Sequence, residues 1–134
     1  MKNKSKLKKI REKGTAAEKA PKEWFYMQQK EVSVRDIAKA LEEERELLAE
    51  IWEEAGVLEI EIPEERSMDF EQTKADFKDE YSKNWIAEHG VKTMFFVTID
   101  PEHYEHAKRI MQTITKQIGG FFCADTEDFH PLIQ

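Results

Sequence analysis

At 134 residues, 40% hydrophobic and 37% charged, the chain is long enough for one domain with a sizeable core, and charged enough that part of it must stand outside that core. No apolar run approaches the ~20 residues of a membrane-spanning helix, and Cys123, the single cysteine, excludes an intramolecular disulfide and a multi-cysteine metal cage. Residues 1–13 hold seven cations against Glu12 alone, a balance of +6, so with a net charge of −7 the remainder carries −13.

The N-terminus is charged and no apolar stretch follows it, unlike a secretory signal, so a cytoplasmic setting is expected. Residues 1–31 read as a basic, largely disordered arm ending in an aromatic block, because little apolar surface offsets the entropy of ordering it. Residues 32–134 read as a single α/β domain. Within the arm, Lys4, Lys6, Lys8, Lys9 and Arg11 are candidate phosphate contacts; they would supply salt-dependent affinity without base specificity. The acidic remainder disfavours any wider contact with nucleic acid. The block itself, Trp24, Phe25, Tyr26 and Met27, has two readings. It docks onto the parent domain, the preferred one, or it anchors a partner.

Ser33 can cap a helix, with Asp36 three residues on. Val34, Ile37, Ala38, Leu41, Leu48, Ile51, Trp52 and Ala55 then form one helical stripe, which predicts a long amphipathic helix ended by Gly56. Its acidic face, from Glu42 to Glu54, is either solvated or docked on a basic partner or on the basic tail. Val57 to Ile62 alternates as a strand, with Leu58, Ile60 and Ile62 on one side and Glu59 and Glu61 on the other. Met68 and Phe70 fit a short returning strand, although Ser67 or Asp69 could equally cap a helix.

A second helix is predicted over 72–88, from Phe77, Tyr81 and Trp85, with Gly90 as its stop. Val91 to Ile99 holds the unbroken run Met94-Phe95-Phe96-Val97 and is predicted as the central strand. Asp100 and Pro101 open a third helix with the stripe Tyr104, Ala107, Ile110, Met111, Ile114 and Ile118; Phe121 to Ala124 is a last buried strand. The order predicts a small mixed sheet of three or four strands flanked by three helices, with parallel pairing across the helical connections. A ferredoxin-like sandwich and a half-size doubly wound sheet are both compatible.

The chemistry-bearing candidates are few. A phosphate-cradling glycine loop, a dinucleotide fingerprint and a nucleophile elbow are all missing from the sequence. In a parallel sheet the strand ends would bear Glu64, Glu65, Asp100 and Asp125, with Glu127 and Asp128 behind, a set able to hold Mg²⁺ or to divide acid and base roles. His103 and His106 share a helix face, and a zinc site can be drawn with Glu102 or Asp128 and with His130 as a third imidazole. The plain alternatives are a helix cap for Asp100, a polar turn for Asp125, and two surface histidines. Cys123 is expected to be a core thiol, and His89 to meet the last carbonyls of its helix.

Function is therefore expected to be binding or regulation through protein–protein contacts, with a homodimer as the first partner and no cofactor. A metal-dependent hydrolase or transferase using Asp100 and Asp125, and a nucleic-acid accessory protein using the basic arm, are the alternatives.

Overall fold

A strand made of Trp24, Phe25, Tyr26 and Met27 has no polar side, so it is stable only when covered on both faces. The computed structural model, which describes residues 20–134, places it there. Strand β1 (Glu23–Gln28) is the fifth strand of a seven-stranded sheet and leaves each of the four side chains at most 6% exposed. The others are β2 (Leu48–Trp52), β3 (Val57–Glu61), β4 (Met68–Thr73), β5 (Thr93–Thr98), β6 (Phe121–Ala124) and β7 (Leu132–Ile133), and the helices are α1 (Val34–Ala40), α2 (Glu80–His89) and α3 (Tyr104–Ile118). The spatial order is β2-β3-β4-β5-β1-β6-β7, and every neighbouring pair is antiparallel.

The alternation of side chains divides the core in two. Trp24, Tyr26, Leu58, Ile60, Met68, Phe70, Phe95, Val97 and Phe122 share one layer with α1 and α3. Phe25, Met27, Met94, Phe121, Cys123 and Phe129 share the other with Trp85 of α2. The first layer contains one buried polar network. Tyr26 Oη donates to the Gly119 carbonyl at 2.7 Å, and Gln28 Nε2 donates to Tyr26 Oη at 2.9 Å and to the Ile118 carbonyl at 2.7 Å. Burial pushes the Tyr26 phenol up to about 12. The chain leaves α3 over this network through Gly120, at φ 76°; a Cβ there would lie 2.6 Å from the Met27 carbonyl oxygen and 3.0 Å from Tyr26 Oη, so only glycine fits.

This architecture corrects several expectations. The sheet has seven strands rather than three or four, and neither the ferredoxin-like sandwich nor the half doubly wound sheet describes it, although three helices and a mixed α and β composition do hold. Helix α3 does return the chain in the direction of β5, as a helical crossover should. Strand β1 lies between β5 and β6, however, and turns an expected parallel pair into two antiparallel ones. A crossover fixes direction, not adjacency. The boundary at residues 31 and 32 also moves, because β1 belongs to the sheet. Residues 1–19, with Lys4, Lys6, Lys8, Lys9 and Arg11, lie outside the described residues.

The long first helix is a short helix followed by a hairpin. The capping box forms as predicted: Ser33 N donates to Asp36 Oδ2 at 2.8 Å, and Asp36 N donates to Ser33 Oγ at 3.3 Å. After Leu41, Glu42, Glu43, Glu44 and Glu46 bring mutual repulsion at helical spacing and nothing to bury. Ala49 and Ile51 instead pair with Ile60 and Leu58, and Gly56, left-handed at φ 68°, closes the β2–β3 turn rather than a helix. Arg35 joins the two pieces by a 2.9 Å ion pair with Glu53. Likewise 68–73 is a strand, so α2 begins only where Asp79 caps it by accepting from Ser82 N at 3.0 Å.

Candidate functional site

Helix α2 covers the second face only at β1, β5 and β6. Beyond Phe96, the same face of β2, β3 and β4 has no helix over it among the described residues. Since Leu58, Ile60, Met68 and Phe70 point to the α1 and α3 layer, the opposite positions are Val57, Glu59, Glu61, Asp69 and Glu71. Strand β2 adds Glu50 opposite Glu59, and Trp52, 49% exposed, opposite Val57. The outcome is a hollow of about 400 Å³ floored by Trp52, Val57, Phe96 and Thr98 and ringed by Glu59, Asp69 and Glu71. A second hollow of about 300 Å³ shares Glu71 and Phe96 with it and continues to Phe77.

The electrostatics of this half-sheet have one sign. Glu50, Glu59 and Glu61 bring carboxylate oxygens within 4.8 Å of one another. None of the five acids is in a salt bridge among the described residues. Glu50 and Glu59 stand directly opposite each other, an arrangement that costs stability. Clustered carboxylate oxygens attract cations, whether a hard metal ion or the ammonium and guanidinium groups of a basic chain. The carboxylates stand at the surface of an edge hairpin around an apolar floor, which suits an extended chain better than an enclosed ion.

The residues singled out from sequence are dispersed. Strands β3, β5 and β6 run in one direction, so Glu64, Asp100 and Asp125 do follow strands at the same rim. Yet β5 and β6 are separated by β1, about 10 Å apart in a regular sheet, and β3 lies beyond β4. Among the described residues, Glu64, Asp100, Asp125, Asp128, His103 and His106 form no group of three with converging donor atoms. Asp100 accepts from Glu102 N at 3.1 Å and pairs with His103 Nδ1 at 3.0 Å. That hydrogen bond holds its carboxyl below, and the His103 imidazole above, their ordinary values. His106 turns instead to Glu65, with Nδ1 3.1 Å from Oε2; the other oxygen, Oε1, is buried without a hydrogen-bond partner. His130 closes a turn with Asp128 and Thr126. His103 and His106 thus line one hollow with Glu65 and Glu102, but among the described residues their donor atoms join no converging group of three, and His130 lies in a separate turn.

Asp125 stands next to Glu23, and its carboxyl is raised, first by burial and then by Glu23. Cys123 is fully buried, with its thiol pushed up to about 12, a core residue as expected. His89 meets the Trp85 carbonyl through Nδ1 at 2.7 Å, also as expected. Trp24, Phe25, Tyr26 and Met27 are interior, which realises their docking on the parent domain and leaves none of them free to anchor a partner.

What sequence reasoning missed is the half-sheet. Alternation puts Glu59 and Glu61 on the polar side of a strand, but the helical stripe puts Glu50 and Trp52 on a helix, so in the sequence the acids have no common surface. Compared with known protein families, with curated proteins and with solved structures, the chain matches none.

Proposed function

We propose that the chain is a non-catalytic protein-binding domain that takes a basic, extended segment of a partner on the uncovered half of its sheet. The observation that carries this is one sheet face on which Glu59, Asp69 and Glu71 ring Trp52, Val57 and Phe96 while Glu50 and Glu61 cluster with Glu59. An apolar floor ringed by carboxylates that make no salt bridge among the described residues suits lysine and arginine side chains, whose stems are apolar and whose heads are cationic. Phosphate backbones are repelled by the same face. Asp100, one acid of the metal-dependent alternative, is engaged by His103, and Asp125, the other, follows a strand separated from that of Asp100 by β1. Among the described residues no helix is long and apolar enough to cross a membrane. The single buried thiol fits a reducing compartment such as the cytoplasm.

A homodimer was the first partner expected, through the aromatic block and the sheet edges. With the block interior, the edges β2 and the two-residue β7 remain, and an antiparallel copy of β2 centred on Glu50 would set Glu50 against its equivalent. Like charges in register are a common guard against edge pairing, so the proposal favours a partner of opposite charge. Fluorescence anisotropy of a labelled ten-residue lysine- and arginine-rich peptide on the full chain tests it. The peptide should bind, release with added salt, and weaken roughly tenfold in the triple variant Glu50→Gln, Glu59→Gln, Glu61→Gln, at about 0.5 kcal/mol per exposed charge. Binding that ignores the three substitutions would contradict the proposal. Light scattering of the chain alone should give a monomer at tens of micromolar.

A further inference from the structure

The largest hollow of the second face lies past Phe77, away from the half-sheet. It measures about 730 Å³ and is lined by Phe77, Tyr81, Phe129, Asp79, Asp125 and Glu127. Tyr81 is 51% exposed, unusual for a tyrosine with two phenylalanines at hand. Its ring lies nearly parallel to Phe129, 12° between planes at 6.4 Å, and Phe77 stands across Phe129 at 79° and 5.6 Å. Phe129 itself is 2% exposed and is held against Trp85 at 4.4 Å, which fixes the floor. Phe77 therefore stands across the nearly parallel Tyr81 and Phe129 rings, on a base held by Trp85.

The charged part of the lining is wholly anionic, and Ser82 and Thr126 are its neutral polar members. Asp79 is occupied as the α2 cap and lies near Lys83. Asp125 and Glu127 make no salt bridge among the described residues. Aromatic faces attract cations through their quadrupole, and carboxylates beside them add a Coulomb attraction that neutral ligands do not feel. A methylated ammonium fits best, because its weakly hydrated methyl surface can lie on rings without giving up strong hydrogen bonds to water. From this hollow we infer that the chain binds an alkylammonium group between Tyr81 and Phe77, with Asp125 and Glu127 as counter-charges. The Asp125 carboxyl is raised by partial burial and by Glu23, and a cation beside it would favour its charged form.

The inference is independent of the half-sheet reading, since none of the five acids of that reading lines this hollow. Its test is a titration of the full chain with choline and with 3,3-dimethyl-1-butanol, which has the same shape without the charge, followed by amide shifts. Choline should bind about tenfold tighter than the neutral isostere, with shifts confined to residues 77–82 and 125–129. Tyr81→Ala and Asp125→Asn, both at exposed positions and both expected to melt as the parent does, should each weaken choline at least threefold. A peptide bearing trimethyllysine, titrated in parallel, distinguishes the sources. Tighter binding than choline points to a modified protein side chain, and weaker binding to a free small cation. Equal binding of choline and its isostere, or choline binding unchanged in both variants, overturns the inference.

Discussion

The two halves of the sheet obey the same alternation and end with opposite surfaces. On β1 and β6 both sides of the strand are apolar, and helices cover both. On β3 and β4 every second residue is acidic, and one side stays open. In the first half, function and stability compete for nothing, because every side chain is interior. In the second, charges that contribute nothing to the fold persist at a position where they repel one another. Residues that cost stability without supporting packing are where binding is expected.

The comparison is sharpest where the closed half is damaged. Phe122→Ala removes a fully buried ring that stacks on Tyr26 at 4.6 Å and meets Phe70 edge-on, and should cost about 3–5 kcal/mol in urea unfolding. Gly120→Ala should cost about 3 kcal/mol or more by the same measurement, since its Cβ has no space and its φ is left-handed. Tyr26→Phe keeps the packing and loses the bond to the Gly119 carbonyl, for about 1–2 kcal/mol. In the open half, Trp52→Ala should cost less than about 1 kcal/mol, and Glu59→Gln should raise stability by a few tenths by relieving Glu50. A loss of several kcal/mol at Trp52 would erase the distinction between the halves.

The smallest effect is at the rim, where His103 meets Asp100. The imidazole is raised from 6.5, so its contribution is full below that value and disappears as pH climbs through the raised folded value. The carboxyl is lowered from 3.8, so its contribution is present above that value and disappears as pH falls through the lowered one. Unfolding midpoints at pH 6 and pH 8.5 should therefore differ slightly more in the parent than in His103→Gln.

Much of the closed half was legible. The unbroken run at Met94–Val97, the stripe from Tyr104 to Ile118 and the caps at Ser33, Asp100 and Gly90 each carry a local signal that survives folding. Strand order did not, because nothing local told that Trp24–Met27 would insert between β5 and β6. The open half failed at Leu48 to Ala55, whose apolar residues fit a helical stripe and a strand pairing almost equally. Only the partner strand Val57–Glu61 decides between them. Once that pairing was hidden, the acids of β2 and β3 had no shared face, and the site was hidden with it.

The most direct measurement is the amide-shift map of the full chain with the lysine- and arginine-rich peptide. Shifts gathered on Leu48–Trp52, Val57–Glu61, Met68–Glu71 and Phe96–Thr98 are the predicted result. Shifts gathered on α1 and α3 instead, with β2, β3 and β4 silent, would contradict the account.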